Sequence, residues 1–291
     1  MSELPTIPVR LRVHLAHATV QAIAEEVGAD ILHIKGPAVD PALRPEGRAS
    51  ADADVLVHPA HLKRLLAGLE RHGWQQVTTL RSGGLVEHST NWYHGELGQV
   101  DVHLRFPGIQ VTPEQAFDLL WKDRGVQEVA HRACVVPRLA AQRLVLLLHA
   151  ARDMRSYADD VTAAWTNASG SEREEVRALA RQFDAEVALA AATGQLEGCR
   201  DRPEYELWRL YADGMMTTSG FRRMRAEIKA RPAGYRMVHV RVIAYAVSAV
   251  VRVPQRLTVQ LARKPTMSEI RAGYVALLRR GADVVRPRTR L

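Results

Sequence analysis

Between Val100 and Phe106 the chain reads Val-Asp-Val-His-Leu-Arg-Phe, apolar and polar side chains alternating without a break. A period of two belongs to a strand with one face in a core and the other out of it, and a helix cannot present it. Asp101, His103 and Arg105 therefore share the polar face. A second run, Ala51–Val57 (ADADVLV), is too short for a helix and is closed by His58-Pro59, so it also reads as a strand. Its Asp52 and Asp54 project from one side, about 6–7 Å apart along the chain, while Ala53 and Val55 face the other way.

Punctuation around these two acid-bearing strands outlines the rest of a sheet. Residues 10–28 carry apolar side chains at helical intervals and end at Gly28, a suitable left-handed stop. Ile31–Ile34 is a short apolar strand that halts at Lys35-Gly36-Pro37 and feeds a loop marked by Pro41, Pro45 and Gly47. Pro59 suits the first turn of a helix running to His72-Gly73. Strand-like stretches at Trp74–Leu80, Leu85–Tyr93 and Gln99–Phe106 follow, the last two joined by a hairpin turn over His94–Gly98. Thr112-Pro113-Glu114-Gln115 supplies a cap, a Pro at the first helical position and a Gln at the third. That predicts a helix through Trp121, followed by a strand over Val126–Val136. Beyond Pro137 the periodicity is helical, over 138–154, 171–193, 203–212, 219–230, 235–253 and 267–280. The expectation is an α+β fold: a mixed β-sheet flanked by helices in residues 1–136, then an all-α domain in 137–291 with a basic end.

With 291 residues, 47% hydrophobic and 25% charged, the chain can bury a sizeable core and is not of a disordered class. Its longest apolar run, Val242–Val251, falls well short of the ~20 residues of a membrane span. The N-terminus lacks a basic start followed by an apolar run, and Cys134 and Cys199 are far apart without metal-ligand spacing. Neither a secretion signal, a disulfide framework nor a zinc site is expected, and the chain reads as cytoplasmic. Charge is uneven: Phe221–Leu291 holds 17 of the 40 Lys+Arg but 3 of the 32 Asp+Glu. A polyanion such as RNA or an anionic membrane surface would suit that segment, although a solvated arginine-rich helix face is the simpler reading. At 5%, aromatic residues are too sparse for a base-stacking platform.

Two carboxylates on one strand face repel each other unless a cation lies between them. Mg²⁺ is the hard, oxygen-seeking ion that such sites hold together with substrate phosphates. Were the two strands neighbours, Asp101 would join Asp52 and Asp54 as a third carboxylate, enough for two ions with one oxygen left to accept a proton. His103 reads first as a polar neighbour of these groups and second as an additional member of the site. Gly36 would let the backbone approach a phosphate closely, with Lys35 and Arg48 to neutralise its charge. His149 reads as a core or interface histidine, and Asp159 and Asp160 as a helix cap.

In the order LHIKGPAV, RASADADVLV, a helix ending in RHGW, and QVDVHLRF, the chain resembles the nucleotidyltransferase superfamily. There a glycine motif after the first strand precedes a Dx[DE] strand and a third carboxylate on a later one. It is similar in particular to bacterial nucleotidyltransferases with a KG…R…DxD…GW…vDlH pattern, some of which accompany peptide natural-product gene clusters. The likeness spans Ile31–Phe106, with an echo at LLLHAARDMRSYADDV that opens an active-site role to Asp159 and Asp160. Pro37, where Gly or Ser is usual, and Ala53, where a bulkier apolar residue is usual, depart from the pattern.

The resemblance implies that Asp52 and Asp54 bind two Mg²⁺ ions and that Asp101 is a third ligand and candidate base. It further implies that Gly36 lines a nucleoside triphosphate such as ATP, with Lys35 and Arg48 as phosphate contacts. The implied activity is transfer of a nucleoside monophosphate to a small-molecule or peptide acceptor with release of pyrophosphate. Two alternatives stand beside it: an RNA acceptor, as in toxin-type nucleotidyltransferases, and a non-catalytic scaffold that keeps the fold.

Overall fold

The computed structural model describes residues 7–44, 50–80, 88–153, 156–214, 220–230, 253–254, 257 and 265–285. Strands β1 (Ile31–His33), β2 (Asp52–Val57), β3 (Gln75–Gln76), β4 (Ser89–His94) and β5 (Gly98–His103) form one sheet in the order β1-β2-β5-β4-β3. The β2 and β5 strands run parallel, and the other neighbouring pairs antiparallel, so the sheet is mixed. In the β2–β5 register Ala53 faces Val100, Asp54 faces Asp101 and Val55 faces Val102. The two acid-bearing strands are thus direct neighbours.

Alternation along these strands divides the interior in two. Ala53, Val55, Val57, Val100 and Val102 enter one core, closed by helices α1 (Val9–Glu26) and α2 (Leu62–Arg71). Along α1, Ala16, Val20, Ile23 and Ala24 make the buried stripe, and the helix stops before Gly28 at a φ of 64°. From the opposite face Leu56, with Leu32 and Ile34 beside it, enters a second core. That core is built on α3 (Pro113–Lys122), α4 (Leu139–Ala150), α6 (Gly170–Gln182), α7 (Glu186–Ala192) and α8 (Tyr205–Ala212). Leu144, Leu147 and Leu148 of α4 lie at its centre, each worth about 1.5–3 kcal/mol of apolar burial. Element type changes at Pro137, while this core draws on residues from both sides of it. Helices α5 (Ala158–Val161), α9 (Gly220–Lys229) and α10 (Met267–Val285) complete the described set. The predicted capping box of α3 is present, Thr112 and Gln115 each bonding the other's backbone.

Four sequence expectations are corrected. The single strand over Val126–Val136 is a hairpin, β6 (Gly125–Val129) and β7 (Arg132–Val136). Ala130 and His131 turn it at φ values of 49° and 59°, positions that Asn and Gly usually announce. The helix over 171–193 is broken between α6 and α7, where Asp184 takes a φ of 48°. The strand over Trp74–Leu80 shrinks to β3 because the Val77 and Thr78 N–H groups both donate to the Asn91 carbonyl, which slips the ladder. Leu104 and Arg105 both donate to the His88 carbonyl, so β5 ends at His103 and Arg105 leaves the strand face. The helix expected over 235–253 lies outside the described residues apart from Val253.

Candidate active site

The last residue pairing of β1 brings Lys35 and Gly36 to the start of β2. The Ile34 N–H donates to the Asp54 carbonyl at 3.1 Å, and one residue on, Lys35 Nζ lies 2.6 Å from Asp54 Oδ1. Gly36 follows at a φ of 66°, and a Cβ built there would lie 3.3 Å from Ser50 Oγ and 3.4 Å from His17 Nε2. Conformation and crowding both select glycine at this turn. Ser50 Oγ donates to the Asp52 carbonyl at 2.9 Å, tying the end of the loop to β2.

Asp54 and Asp101, opposite each other in the register, share one donor. His103 Nε2 lies 2.9 Å from Asp54 Oδ1 and 3.1 Å from Asp101 Oδ2, with Asp54 and His103 each only 3% exposed. Burial works against charge on all three, and their mutual attraction overrides it. Burial alone would lower the His103 pKa, but Asp101 and Asp54 raise it to about 9, so the two carboxylates favour a proton on the ring that a metal bound through His103 would have to displace. Burial would raise the Asp54 carboxyl, and Lys35 and His103 instead hold it far below the ordinary range. Asp101 is lowered in the same way, against burial, chiefly by His103. Asp52, at the mouth of the site, goes the other way, raised by burial and then by the Asp54 charge.

Asp54, Asp101 and His103 offer ligand atoms within 4.8 Å of one another, a group able to hold a metal ion. Asp52 is on the same strand face but outside that group. Asp101 Oδ1 is buried with no hydrogen-bond partner among the described residues, an acceptor of the kind a cation satisfies.

Behind Gly36 lies a buried chain with no clear trace in the sequence pattern. Gln21 Nε2 donates to Glu25 at 2.8 Å, and Gln21 Oε1 accepts from the Val135 N–H at 3.3 Å, which fixes the orientation of the amide. His33 Nε2, 3.1 Å from the same oxygen, is therefore the donor there. Burial keeps His33 neutral, so its Nδ1 accepts from His17 Nδ1 at 2.7 Å. His17 is fully buried and held at a pKa of about 4 by that burial. Its Nε2 is left as a bare acceptor beside Gly36, unpartnered among the described residues.

A cleft of about 820 Å³ opens over these groups, lined by Lys35, Gly36, Asp52 and Asp54 and also by Arg10, His14 and Arg44. The helical half contributes His149, Tyr157 and Asp160, with the His149 and Tyr157 rings 4.3 Å apart. Asp160 is 3% exposed and lines the cleft, at the family echo in SYADDV that opens an active-site role beside the cap reading. Of the predicted site residues, Lys35, Gly36, Asp52 and Asp54 line the cleft, Asp101 joins them through the His103 ring that contacts both it and Asp54, and Arg48 lies outside the described residues.

A mixed sheet backed by helices carries acids on two adjacent parallel strands beside a glycine turn. The chain belongs to the uncharacterised nucleotidyltransferase family, which it matches over residues 8–197, from α1 past α7 and across Pro137. No curated protein matches it. It thus carries a nucleotidyltransferase-family domain with an Asp54–Asp101–His103 group that could hold a metal. Among the described residues no helix is long and apolar enough to cross a membrane.

Proposed function

We propose that the protein is a Mg²⁺-dependent nucleotidyltransferase that moves a nucleoside monophosphate from a nucleoside triphosphate to a small-molecule or peptide acceptor, releasing pyrophosphate. The observation that carries this reading is the register of Asp54 with Asp101 on neighbouring parallel strands, with Lys35 against Asp54. The residues fit a hard cation: the donors are mainly carboxylate oxygens, and Asp101 Oδ1 is buried without a partner among the described residues. Asp52, Asp54 and Asp101 would hold two Mg²⁺ ions, with His103 as a further member. Bound there, the metal would shield the triphosphate and acidify the attacking group.

The remaining work falls to the chain's own side chains. Gly36, bare of a side chain, lets a phosphate approach the backbone, and Lys35 supplies positive charge beside it, with Arg48 a further phosphate contact. Asp101 takes the proton of the acceptor hydroxyl as its oxygen bonds to the α-phosphorus. The bond from that phosphorus to the bridging oxygen breaks, and its electron pair leaves on pyrophosphate. His149, Tyr157 and Asp160 line the cleft from the helical part, which supports giving acceptor choice to residues 137–291. The sparse, unpaired cysteine content suits a reducing, cytoplasmic setting. An RNA acceptor is the reading favoured by the basic segment from Phe221, and a steep fall of affinity with salt would be its mark.

The test is label transfer from α-phosphate-labelled triphosphates into a metabolite and peptide extract. Asp52, half-exposed at the mouth, can be changed to Ala without unfolding the sheet. The expected result is a folded Asp52→Ala protein with no transfer; a folded variant with full activity contradicts the proposal.

A further inference from the structure

Several cations on the described surface are matched: Arg71 pairs with Glu26, Arg132 with Glu25, Arg181 with Glu174 and Arg202 with Asp184. Others, such as Lys63 and Arg64, make no ion pair with a described residue, but they stand away from the cleft. Arg10, His14 and Arg44 line the cleft, and none of them makes an ion pair with a described residue. Arg10 and His14 are one turn apart on α1, either side of Val13, which is 3% exposed and fixes that face of the helix against the protein. Arg44 follows a short 3-10 turn whose Leu43 is 1% exposed. Gln142 on α4 anchors that turn by accepting from the Asp40 N–H at 2.7 Å. Three basic groups are therefore held together by packed elements, close enough that both guanidiniums, after burial, depress the His14 pKa. The two guanidinium charges so placed destabilise one another until an anion joins them, and guanidinium forks match the oxygens of phosphate and carboxylate, with His14 a further donor beside them.

We infer that Arg10, His14 and Arg44 form an anion subsite at the mouth of the cleft that takes a phosphoryl or carboxylate group of a substrate. The inference rests on the cleft being the nucleotidyl-transfer site, and it adds a hold that needs no metal. The anion has two sources, the terminal phosphates of the nucleotide or an acidic group on the acceptor.

Calorimetric titration of the full chain with inorganic tripolyphosphate, with EDTA and no divalent metal, tests the subsite apart from the carboxylate site. Wild type is expected to bind, Arg10→Gln with Arg44→Gln to bind about tenfold or more weakly, and Asp52→Asn to bind at least as well as wild type. Each single arginine variant should show an intermediate loss, and Arg44→Lys should recover part of it, results that misfolding would not give. Absence of tripolyphosphate binding to wild type, or equal binding to the double arginine variant, overturns the inference. Competition then assigns the source. Displacement of tripolyphosphate by nucleoside triphosphate but not by monophosphate gives the subsite to the nucleotide's own phosphates; displacement by neither gives it to an anionic acceptor. If Mg²⁺-dependent nucleotide binding is lacking while tripolyphosphate binding stays arginine-dependent, the transfer reading fails and the anion subsite stands.

Discussion

A buried histidine held neutral makes stability depend on pH. His17 sits at about 4 in the folded chain against 6.5 for the free side chain, with His33 displaced in the same direction. In acid the unfolded chain binds protons that the folded chain refuses. The stabilisation is therefore complete above pH 6.5 and drains away as pH falls toward 4. At about 1.4 kcal/mol per pH unit, His17 alone accounts for a loss of roughly 3 kcal/mol across that window. Urea unfolding between pH 7.5 and 4.5 should show the decline, and His17→Asn, which keeps a donor toward His33 without titrating, should flatten it. An equal decline in both proteins would contradict the tautomer chain. Nothing in the sequence announced that chain. His17 and His33 stand on a helix and a strand that read as ordinary amphipathic elements, and only the packing of α1 over β1 brings their rings to 4.9 Å. Asp52, Asp54 and Asp101 were legible because strand alternation fixes a side chain's face from sequence alone.

Alternation gives the face of a strand but not its neighbour, so the pairing of β2 with β5 was a condition in the sequence and became a fact in the structure. The same limit explains the β6–β7 hairpin. Its flanking residues read as one continuous strand, since the turn is made by Ala130 and His131 in a conformation neither residue favours. Such a turn should be improvable. Ala130→Asn with His131→Gly is expected to stabilise the protein by about 1 kcal/mol, since Gly loses the left-handed penalty and Asn tolerates the region. A rise in the urea midpoint at unchanged slope would show it; a fall would mean that the backbone does not turn there as described. The break at Asp184 was hidden in the same manner, by a left-handed residue inside an otherwise helical pattern. By contrast Thr112, Pro113 and Gln115 carry their capping chemistry in the side chains, and α3 begins where they place it.

For the whole molecule, the change of element type at Pro137 and the continuity of the core answer different questions. Leu32, Ile34, Leu56 and Phe117 on one side pack in the same apolar cluster as Leu144, Leu147, Leu148 and Trp208 on the other. Residues 1–136 expressed alone would expose that face, and are expected to aggregate or to lack a cooperative thermal transition; a sharp transition from this fragment would contradict the shared core. The candidate cleft lies along the same junction, with Asp52 and Asp54 from the sheet and Asp160 from the helices. The central claim, that these carboxylates hold metal for a nucleotide, is tested most directly by thermal shift. ATP, GTP, CTP and UTP are added with and without Mg²⁺ to wild type and to the protein carrying Asp52→Ala and Asp54→Ala. The account predicts a Mg²⁺-dependent rise in Tm with at least one triphosphate that vanishes in the double variant. A rise that Mg²⁺ does not increase with any triphosphate, or a Mg²⁺-dependent increment that the folded double variant retains, would contradict it.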